Sequence, residues 1–97
     1  MTKRRFTSVW DAIEDSAAEA ASMKLRAELA NEVIEQLRTH KLTQSKAAEL
    51  LGVTQPRISD LMRGRLDLFS LDSLVDMGDK IGLRTRLVMS PKRVAYA

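Results

Sequence analysis

The side chains best equipped for recognition chemistry in this 97-residue chain crowd into one stretch, LTQSKAAELLGVTQPRISDLMRGR, residues 42–65. Gln55 carries an amide that donates and accepts at once, so it can pair bidentately with the edge of an adenine. Arg57 carries a fork of donors that suits guanine or a phosphate. Lys41, Lys46, Arg63 and Arg65 flank this pair with positive charge, and Thr54 and Ser59 add hydroxyls beside them. Contacts to phosphate supply much of the affinity of a DNA-binding surface, whereas contacts to base edges supply its sequence preference. Lys46, Thr54, Ser59, Arg63 and Arg65 are therefore candidate phosphate contacts, and Gln55 and Arg57 are candidate readers.

Such side chains read DNA only if something presents them tip-first, and the same stretch predicts two short helices joined by a tight turn. Thr43 is placed as the N-cap of a helix over Gln44–Leu51, and Gly52 closes it in a left-handed conformation that glycine adopts without a Cβ clash. Val53 plugs the turn. Thr54 caps a second helix, with Pro56 in its first turn, where a missing N–H has no helical acceptor to lose. Ile58, Leu61 and Met62 recur at helical spacing and are expected to face inward. Counting Gln44 as the first position, a small residue falls at the fifth (Ala48) and glycine at the ninth (Gly52). Apolar residues fall at the fourth, eighth, tenth, fifteenth and eighteenth: Ala47, Leu51, Val53, Ile58 and Leu61. An ordinary αα-hairpin could use the same apolar set, but it has no need of this spacing.

The flanks predict the support. Ser8–Asp15 reads as a turn or two of helix bearing Val9, Trp10 and Ile13, and Ser16 as the cap of a long helix ending near His40. Its stripe is Leu25, Leu29, Val33 and Leu37, with Ala30 and Ile34 alongside; the alanine-rich half before Leu25 is expected to protrude. Arg65–Phe69 reads as a loop. Ser70 caps a last helix, Leu71–Ile81, with Leu71, Leu74, Val75 and Ile81 buried, and Gly82 closes it. Leu83–Ser90 alternates, which is a strand signal, and Pro91 ends it. A lone strand needs a partner for its backbone groups, so it is expected to pair with a copy of itself through Leu83, Thr85, Leu87 and Met89. The expected divisions are an N-terminal arm at 1–15, a helical domain at 16–82, a dimerisation strand at 83–90 and a flexible tail at 91–97.

Composition narrows the function. The net charge is only +3, but its distribution is uneven. Residues 1–40 carry six basic and seven acidic side chains, whereas residues 41–70 and 71–97 each carry five basic and three acidic. There is no cysteine, hence no disulfide frame or thiolate metal site. The single histidine, His40, is placed to cap a helix C-terminus rather than to catalyse. Asp72, Asp76 and Asp79 form an acidic stripe without a second ligand cluster, and no phosphate-cradling glycine loop is present. Neither an enzyme, a metal site nor a cofactor is expected. The N-terminus lacks the apolar run of a signal peptide, and no stretch approaches the ~20 apolar residues of a membrane span. A cytoplasmic protein is expected.

The block LTQSKAAELLGVTQPRISDLMRG resembles the helix-turn-helix of the XRE family, which includes the lambda-type repressors and Cro proteins. Within it, TQPRISDLMRG followed by DLFSLDSL is most similar to small HigA-type antitoxins and related phage-associated regulators. The resemblance implies an all-α, lambda-repressor-like bundle of about five helices with a short C-terminal β-strand used in dimerisation. It further implies that Gln44 binds phosphate and braces the recognition helix, and that Gln55 and Pro56 meet bases, Pro56 through apolar contact alone. Asp60 falls at the family's next reading position, where many members carry a long polar or basic residue; a salt link to Arg57 or Arg63 is the alternative use for it. The implied partners are double-stranded DNA, a second copy of the chain and a RelE/HigB-like toxin. The implied function is a homodimeric repressor on a palindromic operator that also serves as an antitoxin, or else a stand-alone phage-type repressor with no toxin partner.

Overall fold

One stop signal recurs along the chain and sets where its helices end. The computed structural model describes residues 9–92, with side chains from residue 16 onward. Four α-helices and one 3₁₀ turn follow in order: α1 Val9–Thr39, α2 Gln44–Leu51, α3 Gln55–Met62, the 3₁₀ turn Leu66–Leu68, and α4 Leu71–Lys80. After each α-helix one residue turns left-handed, at φ 53° for Lys41, 70° for Gly52, 76° for Gly64 and 93° for Gly82. The N–H of the following residue then reaches five residues back: Leu42 to Leu37, Val53 to Ala48, Arg65 to Asp60 and Leu83 to Gly78, at 2.8–3.1 Å. This is the Schellman closure, which satisfies carbonyls that the helix leaves open. The N-termini of α2, α3 and α4 are capped as expected. Thr43 accepts from Lys46 N–H and Thr54 from Arg57 N–H, and Ser70 and Ser73 bond reciprocally in a capping box.

The core forms where the helices converge. Ala30, Val33 and Leu37 of α1 meet Ala47, Ala48 and Leu51 of α2, Ile58 and Leu61 of α3, Phe69, and Leu74, Met77 and Ile81 at the end of the fold. α1 packs on α4, on the 3₁₀ turn and on α3, so it is the spine of the domain. No residue from Ser16 to Leu29 is buried. The stretch before Leu25 stands off the core from Ser16 onward, as the alanine-rich sequence predicts, whereas Leu29 is half-buried against the core.

Several expectations change. There are four α-helices among the described residues, not about five, because α1 runs unbroken through Ser16. No glycine or proline lies between Val9 and Thr39 to stop it, and an exposed serine is tolerated inside a helix. The expected β-strand at Leu83–Ser90 is absent: residues 83–92 carry no regular secondary structure. Beyond Leu83 they make no backbone hydrogen bond among the described residues. A strand exists only as part of a ladder, and one copy of the chain offers no second rung. Leu25, Met62 and Val75 are exposed rather than inward-facing, while Phe69 and Met77 take up core positions that the sequence had not marked. The side chains of Trp10 and Ile13, most of the arm at 1–15 and most of the tail at 91–97 lie outside the described residues.

Candidate nucleic-acid interface

Thr43 and Thr54 both hold extended backbone, with ψ 164° and 160°, and so launch α2 and α3 at an angle to the turns that precede them. Gly52 bends the connection, and the Val53 N–H closes on Ala48 at 3.0 Å. Ala48 is buried where the two helices cross, and its small side chain permits the approach. With Ile58 and Leu61 anchored inward, the first turn of α3 faces solvent, and Gln55 and Pro56 are exposed at its tip. Gln44, Lys46 and Thr54 are exposed on the neighbouring ends of α2 and α3, and Arg63 and Arg65 beyond the far end of α3. Gln44, Lys46, Thr54, Gln55 and Pro56 are thus all open to solvent in the first turns of α2 and α3 or at the N-cap of α3. Ser59 and Asp60 are half-buried on the flank of α3.

Arg57 is placed differently from a free reader. Its Nη1 donates to the Leu68 carbonyl at 2.7 Å, and its guanidinium lies 4.1 Å from the centroid of the Phe69 ring. Phe69 is itself buried. The arginine therefore ties the recognition helix to the 3₁₀ turn and roofs an aromatic core residue, a cation–π arrangement with a charge-assisted hydrogen bond. Asp60 forms an ion pair with neither Arg57 nor Arg63; among the described residues the ion pairs are Arg38–Glu35, Lys46–Glu49 and Lys80–Asp76. The Lys46–Glu49 pair is 3.7 Å long and solvent-exposed on both sides, too weak to keep Lys46 from a phosphate.

Sequence reasoning missed two supports of this surface. Lys80 of α4 sends Nζ to the Leu51 carbonyl at 3.4 Å while holding Asp76 at 3.0 Å. A cation thus sits against the negative end of α2, next to Gly52. Its only sequence signal is a lysine in the last turn of a helix, which any helix may carry. Phe69 is the other. It stands two residues before the predicted start of α4, in a segment read as a loop although Leu66, Leu68 and Phe69 make it largely apolar.

Among the described residues no helix is long and apolar enough to cross a membrane. A family model described as a helix-turn-helix domain matches residues 12–90. One solved structure, described as an XRE family transcriptional regulator, superposes with a TM-score of 0.73 at 26% identity, covering 80% of this chain and 91% of that chain. No curated protein matches the chain.

Proposed function

The chain belongs to the helix-turn-helix domain family, and on that footing we propose that it is a transcriptional regulator that binds double-stranded DNA sequence-specifically as a homodimer and represses from a palindromic operator. The observation that carries this reading is the exposed tip of α3: Gln55 and Pro56 stand forward on a helix that Ile58 and Leu61 anchor in the core. Gln55 pairs with adenine N6 and N7, and Pro56 offers only an apolar edge, suited to a thymine methyl. Gln44, Lys46, Thr54, Arg63 and Arg65 meet the flanking phosphates, with Ser59 beside them. Arg57 serves chiefly to brace the helix, and Asp60 is a secondary contact on its flank. Two copies are needed because one helix reads only a few base pairs, and a twofold dimer doubles the site at a spacing of about 34 Å. No catalytic step, metal or cofactor enters this function, and the protein acts where DNA is accessible, in the cytoplasm.

A second role is favoured by α1. Its stretch from Ser16 to Leu25 has no buried side chain and carries exposed Met23 and Leu25. A long helix kept out of its own core suits a protein partner, so we further propose that the regulator is the antitoxin of a toxin–antitoxin pair. The stand-alone repressor remains the alternative. Both readings are tested by co-purifying the protein with the product of the adjacent gene and titrating it against DNA from upstream of its own gene. A shifted upstream fragment, with random DNA unshifted at equal salt, is expected; equal binding to both defeats sequence-specific regulation. Absence of a co-purifying small basic protein leaves the stand-alone repressor.

A further inference from the structure

A trough runs between α1 and α4, floored by Leu29, Leu74 and Val75 and bounded at one side by the chain's own residues 83–87. Its shoulders are acidic. Glu28 and Glu32 of α1 line it directly, and Asp72, Asp76 and Asp79 of α4 line the adjoining depression that shares Val75. The C-terminal segment has the opposite character. Leu87, Val88 and Met89 are 77%, 81% and 82% exposed in an unbroken run, preceded by Arg84 and Arg86. Neither arginine forms an ion pair among the described residues, although both line the same trough as the carboxylates.

An apolar-basic segment and an apolar-acidic trough on one chain are complementary to each other. Leu83 is already pinned to the end of α4 by its bond to the Gly78 carbonyl, so the segment emerges at a fixed point on the trough's rim. Resting on the homodimer reading above, we propose that the α1–α4 trough is the docking site for residues 84–89 of a second copy, exchanged reciprocally across a twofold axis. Leu87 and Met89 enter the floor. The long stems of Arg84 and Arg86 carry their guanidinium groups to the shoulders, as such side chains do when their stems lie on apolar surface. An isologous interface requires that a patch on one copy fit a patch on the other and the reverse, and this pair of features meets that condition twice per dimer.

The full chain tests this by sedimentation without DNA at low salt. One variant reverses the segment, Arg84→Glu with Arg86→Glu; the other reverses the shoulder, Glu28→Lys with Glu32→Lys. All four side chains are exposed, and circular dichroism confirms the helical fold of each variant. Each alone is expected to raise the dimer dissociation constant about tenfold or more, since several charge pairs change sign together. An equimolar mixture of the two is expected to dimerise about as tightly as the wild type, because acidic segment then meets basic shoulder and basic segment meets acidic shoulder. A shoulder variant that dimerises as well as the wild type overturns the proposal, since a dimer held by segment-to-segment pairing alone ignores Glu28 and Glu32. A mixture that stays monomeric overturns it too, and places the segment in its own chain's trough. In both cases a dimeric, operator-binding wild type leaves the regulator reading standing, whereas a monomeric wild type removes the homodimer itself.

Discussion

At the tip of α3, no hydrogen bond ties the Gln55 amide to its neighbours among the described residues, so its donors and acceptor are available to a base. Replacing it by alanine is expected to weaken operator binding by about 1–3 kcal/mol and random-DNA binding very little. Anisotropy titrations on both DNAs decide, and an equal loss on both reduces Gln55 to a positioning contact. Arg57, two residues on, gives the contrasting case. Arg57→Met removes the bond to the Leu68 carbonyl and the cation over Phe69, so thermal stability is expected to fall by about 1–2 kcal/mol. Operator affinity falls with it, but the preferred base at each operator position is expected to stay the same. A binding-site selection that shows relaxed preference at one base pair would make Arg57 a reader instead.

The elements of the hairpin were legible in the sequence because their boundaries are written in local chemistry. Thr43, Gly52, Thr54 and Pro56 each act within four residues of themselves, and α2 begins and ends, and α3 begins, where those residues predict. What escaped was chemistry acting at a distance or through a silent residue. Met77 was hidden because Gly78 completes its stripe, and glycine does not read as apolar; the eye settles on Leu71, Leu74 and Val75 instead. Phe69 and Arg57 meet across twelve positions, beyond the reach of periodicity. The end of α1, read near His40, falls at Thr39, but its left-handed closing residue is Lys41 rather than glycine, which the sequence did not mark. That difference is measurable. A residue with a Cβ pays about 1 kcal/mol in this conformation, so Lys41→Gly is expected to stabilise the domain by about that amount, raising the melting temperature by about 4–8 °C. Differential scanning calorimetry without DNA reads it, and an unchanged or lower melting temperature shows that the Lys41 side chain contributes as much as its backbone strain removes.

For the whole molecule, the division of α1 into an embedded half and an exposed N-terminal part would separate the two proposed functions along one rod. Residues 1–15 precede a further stretch, through Leu29, with no buried side chain. Their deletion is expected to leave the unfolding midpoint and the operator affinity unchanged while abolishing capture of the adjacent gene's product. A truncated chain that unfolds places Trp10 in the core of the domain. The phosphate contacts are a whole-surface property and are read by salt. Lys46→Ala and Arg63→Ala are each expected to reduce the magnitude of the slope of log affinity against log salt by about one unit, on all DNA sequences alike. An unchanged slope moves that residue away from the DNA.

The rod also has mechanics. From Ser16 to Leu29 the helix is a lever arm of about 20 Å at 1.5 Å per residue, with its fulcrum where Leu29 packs against the core. Beyond that point α1 is clamped against α4, the 3₁₀ turn and α3, and it ends in the short turn from which α2 springs. A weight hung on the free arm therefore exerts its torque on the same packed half that mounts the reading head. The stiffness of a single uninterrupted helix would link any load gripped by the arm to the half that carries α2 and α3.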